Sequence, residues 1–169
     1  LGGFLAGGAG GTGSIENGWI WDGYVREMTL MPCWDAPKLI EASAPDAHAH
    51  IHAYGTTGII VSARVALRPA RRWTALFATF PTFEAAAEAG LGVLDCDPLP
   101  RNLSVDDARL VAAMAAHPAM LAGRASLRAV LAESTVHVAG RIVAAHGGTV
   151  EAVLPEATSL CISLSYNHV

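Results

Sequence analysis

Eight of the first eighteen residues are glycine, at positions 2, 3, 7, 8, 10, 11, 13 and 18. Each interior glycine weakens a helix by roughly 1 kcal/mol relative to alanine, so this stretch does not read as ordinary secondary structure. Glycine offers positive φ and a close approach of bare backbone to a ligand. Gly8-Ala9-Gly10-Gly11-Thr12-Gly13 fits G-x-G-x-x-G, and Asp35 stands at a suitable distance for a ribose-binding acid. That dinucleotide reading needs a strand over 1–6 and a regular helix over Ser14–Val25. Gly18 and Gly23 interrupt the second segment, and its apolar residues lose helical spacing. A ligand-free surface turn is another reading. A third is a cradle of successive amides for phosphate or ring oxygens.

The rest of the chain alternates strand and helix signals. Val25–Met31, Pro37–Glu41 and Gly58–Leu67 read as strands, the last nearly continuous in apolar character and so expected to be buried. Pro45-Asp46 opens a short Ala-rich helix that Gly55 stops. Arg68-Pro69-Ala70-Arg71-Arg72 then breaks the pattern and marks a domain boundary, giving units at 1–70 and 71–169. Beyond it, Trp73–Phe80 is a strand, and Thr82 caps a helix over Phe83–Ala89 that Gly90 follows. Leu99–Val105 is a strand, and Asp106–His117 a helix that Pro118 ends. Ser126–Leu131 is a strand. Thr135–His146 is a helix closed by Gly147-Gly148. Thr149–Val153 and Leu160–Tyr166 are strands. Short units of this kind predict an α+β fold, with helices covering one face of an antiparallel sheet.

Composition excludes several classes. Apolar residues make up 52% and charged residues 15%, which supports a substantial core and argues against disorder. The net charge of −4 and the absence of a Lys/Arg cluster argue against nucleic acid. No apolar run reaches the roughly 18–20 residues of a membrane span. Cys33, Cys96 and Cys161 are far apart and read as reduced thiols of a cytoplasmic protein. Leu1 follows no Met or charged leader, and Val169 falls within a strand pattern, so both ends read as cut. A piece cut in this way is expected to associate or to be poorly soluble alone.

Gly2-Gly3-Phe4-Leu5-Ala6-Gly7-Gly8-Ala9-Gly10-Gly11-Thr12-Gly13-Ser14-Ile15, closing at Gly18, resembles the second flavin-contacting segment of FAD-linked oxidases of the vanillyl-alcohol oxidase and p-cresol methylhydroxylase type. His52-Ala53-Tyr54-Gly55-Thr56-Thr57-Gly58-Ile59-Ile60 resembles the family's closing segment, a Gly-Thr-x-Gly-Ile turn that enters a strand beside the flavin. Arg68-Pro69 resembles the end of that domain. Phe83–Gly90 and Ser126–Gly148 resemble the opening of the substrate domain, and Ser163–Val169 a segment of glycolate-oxidase-like members.

The resemblance implies that 1–70 is the C-terminal part of a PCMH-type FAD-binding domain. It implies that 71–169 is the start of a substrate, or cap, domain. The cofactor implied is FAD, contacted by Gly2, Gly3, Gly7, Gly8, Gly10, Gly11, Gly13, Ser14, Gly18, Gly55, Gly58, Ile59 and Ile60. The activity implied is oxidation of a CH–OH group of a small molecule, such as a 2-hydroxy acid. The family's first pyrophosphate loop lies upstream of these residues, so the missing N-terminal part of the flavin domain is an expected partner. Tyr166, Asn167 and His168 are candidate substrate contacts, with His168 the candidate base.

Other constellations carry less. His48-x-His50-x-His52 on a strand could share a metal, but on the helix read here residues two apart diverge, so no metal is expected. Trp19, Trp21 and Tyr24 read as core or as a substrate entrance. Arg124 and Arg128 read as solvated cations, with a substrate carboxylate as the alternative partner. Ser14 lacks the G-x-S-x-G context of a nucleophile elbow. The reading from a different class is a non-catalytic α+β binding or interaction module with a Gly-rich loop.

Overall fold

The computed structural model describes residues 1–8, 11, 13–34, 36, 38–114 and 117–165. The chain divides into two compact units, Leu1–Pro69 and Ala70–Val169.

In the first unit the glycine-rich start is not a strand. It opens as helix α1 (Gly2–Gly7), ended by Gly8 at φ +60, followed by the single turn α2 (Ser14–Asn17). Gly18, at φ +70, ends α2 after four residues. The long helix that a Rossmann unit needs is therefore absent over Ser14–Val25. The alternation of Val25–Met31 gives β1 over those same residues, with Val25, Met28 and Leu30 buried. Then come β2 (Ile40–Ser43), α3 (Ala44–Ala47) and a 3₁₀ turn at His48–His50. The second strand thus lies later than the Pro37–Glu41 reading. The helix after it ends well before Gly55: Ile51 is already extended, at φ −79 and ψ 139, and His52 and Tyr54 then take positive φ. Last is β3 (Ile59–Val65).

The three strands pair antiparallel in the order β2-β1-β3, with Leu30 opposite both Ile40 and Ile60. Leu5, Ile20, Met28, Leu30, Ala47 and Ile51 form the core. The expected burial of β3 does not hold. Ile59 is 67% and Val61 55% exposed, because β3 is an edge strand whose outer face is otherwise polar. On that face Ser62 Oγ donates to Thr29 Oγ1 at 2.9 Å, and Arg64 pairs with Glu27 at 2.7 Å.

The second unit runs β4 (Trp73–Phe80), α4 (Phe83–Val93), β5 (Asn102–Asp106), α5 (Ala108–Met114), β6 (Ala125–Ala132), α6 (Val136–Ala145), β7 (Thr149–Leu154) and α7 (Thr158–Leu164). The sheet order is β5-β6-β4-β7, every neighbouring pair antiparallel. This makes two interlocked β-α-β units, each with a strand of the other inserted between its own. Thr82 caps α4 by accepting the Ala85 N–H at 3.2 Å. Gly90 lies inside α4 rather than after it, where a Cβ would stand 3.1 Å from Val105 Cγ2.

Helices cover both faces of this sheet, not one. Leu76, Ala78, Phe80, Leu127 and Leu131 pack with Ala86, Ala89 and Val93 of α4 and Ala139 and Val143 of α6. On the other face, Ala75, Phe77 and Val130 meet Val111 of α5 and Cys161 and Leu164 of α7. That is why β4 and β6 are buried on both sides. It also explains α7, which the sequence reads as a strand over Leu160–Tyr166. Leu160, Ile162 and Leu164 alternate with a strand's period, yet the segment lies as a helix against the sheet. No helix among the described residues is long and apolar enough to cross a membrane.

Candidate functional site

The two glycine-bearing segments of the first unit meet through backbone. His52 N–H donates to Leu5 O at 3.1 Å, and Tyr54 N–H to Ala6 O at 3.0 Å. His52 Nδ1 bonds to Gly7 O, which makes it the protonated ring nitrogen in this contact. The turn at 52–54 therefore holds the last carbonyls of α1, groups that a helix leaves without partners. His52, Tyr54, Gly55 and Gly58 all have positive φ, at +58, +50, +81 and +147. Backbone strain on this scale is kept where surrounding contacts enforce it. Sequence reasoning did not anticipate the positive φ at His52 and Tyr54, since glycine is the usual signal for such a backbone.

The glycines divide into two groups. Gly8, Gly18 and Gly58 are required by the chain itself. A Cβ on Gly8 would stand 2.4 Å from His52 Cβ, one on Gly18 2.7 Å from Asp22 Oδ2, and one on Gly58 2.7 Å from Met31 O. Gly2, Gly3 and Gly7 are different. They sit in a six-residue helix, and nothing lies within 4 Å of any of their Cβ positions. Gly55 also faces open space, though at φ +81.

Several polar groups of the segment are engaged locally. Gly11 N–H donates to Ser14 Oγ at 3.1 Å, and Ser14 Oγ returns a bond to Gly11 O. Gly13 O accepts from Asn17 Nδ2 at 3.0 Å, and Asn17 Oδ1 accepts from Arg68 Nε at 2.7 Å. Gly58 N–H donates to Gly55 O at 3.3 Å. Ile60 turns into the core while Ile59 turns outward, as alternation along β3 requires. Gly10, Asp35, Tyr166, Asn167 and His168 lie outside the described residues.

The histidines do not converge. His50 Nδ1 bonds Thr57 Oγ1 at 2.9 Å, His52 holds Gly7, and among the described residues no group of three His, Cys, Asp or Glu is placed to hold a metal ion. Trp19 and Trp21 are exposed and stack with centroids 5.6 Å apart, so they are not core. Arg128 is not solvated, as the sequence reading had it. It is 1% exposed and pairs with Asp106. The available signal was its place in an otherwise apolar strand, where an arginine requires an acid on a neighbouring strand.

No protein-family model matches this chain, and no curated protein does. Solved structures do, and the fold they share with it is α+β with antiparallel sheets. Two crystal forms of alkyldihydroxyacetonephosphate synthase are similar to it, each with a TM-score of 0.72. Identities are 18% and 17%, over 98% of this chain. The chain spans 36% and 35% of the length of those structures. At such identity the likeness is one of fold.

Proposed function

We propose that this chain is a segment of an FAD-dependent oxidoreductase that oxidises a CH–OH group of a small molecule, a 2-hydroxy acid being the substrate class. In this reading Leu1–Pro69 is the end of the FAD-binding domain and Ala70–Val169 the beginning of the substrate domain. The fold shared with alkyldihydroxyacetonephosphate synthase supports it, as do the two glycine-rich segments that resemble FAD-linked oxidases.

The observation that carries the reading is the bare side of α1. Three glycines in one short helix weaken it by roughly 0.5–1 kcal/mol each relative to alanine. Packing gives no reason for them, since their Cβ positions are open. A flat or phosphate-bearing ligand lying against that side does give one. Gly2, Gly3, Gly7 and Gly55 would then provide the surface against which FAD rests. Gly8, Gly18 and Gly58 shape the backbone beneath it. Gly11 and Ser14 fix the loop to each other. Ile59, on the outward face, would supply apolar contact. Tyr166, Asn167 and His168 stay in the proposal as substrate contacts. When bound, the flavin supplies the hydride-accepting chemistry, and the protein positions and tunes it.

The test is direct. A longer protein that carries these residues with the preceding sequence is expected to purify yellow, with a flavin absorbance spectrum. A colourless protein that takes up no added FAD would leave the non-catalytic binding module as the better account.

A further inference from the structure

The two faces of the sheet in the second unit differ in chemistry. Under α4 and α6 the buried residues of the sheet are apolar apart from Thr74. Under α5 and α7 the sheet carries Thr79, Asn102, Asp106, Ser126 and Arg128, every one buried. Arg128 heads the fully buried side chains by size. Register places it between Phe77 of β4 and Ser104 of β5. Its Nε and Nη2 both donate to one oxygen, Asp106 Oδ2, at 3.1 and 2.7 Å. Its Nη1 is buried and has no hydrogen-bond partner among the described residues.

A guanidinium is planar, always charged, and carries two N–H donors on Nη1. Leaving such a nitrogen dry and unbonded is among the costliest states for a buried polar group. Neighbouring polar groups are committed elsewhere. Ser104 Oγ donates to Ser165 Oγ at 2.7 Å, Ser165 Oγ to Asn102 Oδ1 at 2.9 Å, and Thr79 Oγ1 to Glu151 at 2.6 Å. The position calls for an external oxygen acceptor.

We propose that Arg128 Nη1 is a binding point for the carboxylate of a small organic acid, held on the polar face of the second unit's sheet. The choice of ligand rests on the 2-hydroxy acid reading above. Among anions, charge favours a carboxylate. Asp106 already neutralises Arg128, so a monoanion leaves the group at net −1, whereas a phosphate dianion leaves −2 in a poorly solvated place. A carboxylate oxygen also makes a stronger, charge-assisted bond to Nη1 than a neutral oxygen does. Asp106 acts as a positioning residue, fixing the plane of the guanidinium and so the direction of Nη1.

Calorimetric titration of the whole protein with glycolate and with each enantiomer of lactate tests the site. Lactamide, which lacks the carboxylate, and inorganic phosphate are the comparison probes. Millimolar or tighter binding of at least one acid is expected, with lactamide at least tenfold weaker. Arg128→Lys keeps the charge but loses the fork, and is expected to weaken binding at least tenfold. The double variant Arg128→Met/Asp106→Leu removes the buried pair together, so that neither charge is stranded, and is expected to fold and bind none of the acids. The proposal is overturned by no binding of any acid, by a double variant that binds as well as the unaltered protein, or by lactamide binding equally. Phosphate binding that glycolate fails to displace also overturns it. Flavin content is measured separately on the same preparations. Acid binding without flavin removes the oxidoreductase reading alone, and flavin without acid binding removes this site alone.

Discussion

The backbone N–H of His52 donates to the carbonyl of Leu5 across 3.1 Å, joining the turn before β3 to the helix that opens the chain. The same residue holds Gly7 O through its ring and takes φ +58 to do both. Strain and side-chain bond can be separated by substitution. His52→Ala keeps the unfavourable backbone and loses the ring contact, so a loss of about 1–2 kcal/mol is expected. His52→Gly loses the same contact but relaxes the backbone, and is expected to be about 1 kcal/mol more stable than His52→Ala. Urea unfolding of the two variants decides the order. Equal stability, or the reverse order, would mean that the turn is not held at positive φ.

Alanine at Gly3 or Gly7 sets stability against ligand binding. Neither position has a neighbour within 4 Å of its Cβ, and neither has positive φ. Each substitution is expected to stabilise the fold by up to about 1 kcal/mol. The bulkier Gly7→Val is expected to lower flavin occupancy, read as the ratio of flavin to protein absorbance in the longer protein. Gly58 is unsuitable for this test, since its Cβ would meet Met31 O at 2.7 Å and unfolding would mimic loss of flavin. Unchanged flavin content in Gly7→Val would mean that no cofactor lies against α1.

What could be read in the sequence depended on how local the cause was. β1 follows from alternation over Val25–Met31, and the Thr82 cap from a hydroxyl before an Ala-rich run, both short-range causes. Helix α1 was hidden because Gly2, Gly3 and Gly7 argue against any helix, while the bonds that hold it come from His52 and Tyr54, far along the chain. α7 was misread because Leu160, Ile162 and Leu164 alternate like a strand. Packing of Cys161 and Leu164 under the sheet outweighs that local period. Burial of β3 was overestimated because nothing local tells an edge strand from a central one. Among candidate site residues, the glycines were visible as a group. Which of them serve the backbone and which face open space required the coordinates of their neighbours.

The Arg128–Asp106 pair makes its own prediction about stability. Arg128→Met alone leaves a buried carboxylate without its partner and is expected to cost about 3–5 kcal/mol. Arg128→Met/Asp106→Leu is expected to recover most of that loss, since apolar side chains of similar size suit a face that carries Phe77 opposite Arg128. Thermal unfolding of the single and double variants measures the coupling. Additive losses would show that the two charges do not depend on each other.

Cys161 gives the fold a weakness in alkali. Burial pushes its thiol up to about 11 from an ordinary value of 9.0; Arg128 opposes the shift and Asp106 adds to it. Burial likewise raises Cys96, with Asp95 reinforcing the effect. Below pH 9 both folded and unfolded chains keep the Cys161 proton, and its contribution to stability is fully present. Between pH 9 and about 11 the unfolded chain loses the proton while the folded chain keeps it, so that contribution is lost as the pH rises. The slope from this one group is at most about 1.4 kcal/mol per pH unit. Cys161→Ala is expected to flatten the decline over this interval relative to the unaltered protein, even if its stability at neutral pH is lower. Denaturant midpoints taken from pH 7 to 11 give both curves. Iodoacetamide supplies an independent check, since the exposed Cys33 is expected to react first and Cys96 and Cys161 only as the fold opens. Parallel pH curves for the two proteins, or early labelling of Cys161, would show that this thiol is not sealed between α7 and the sheet.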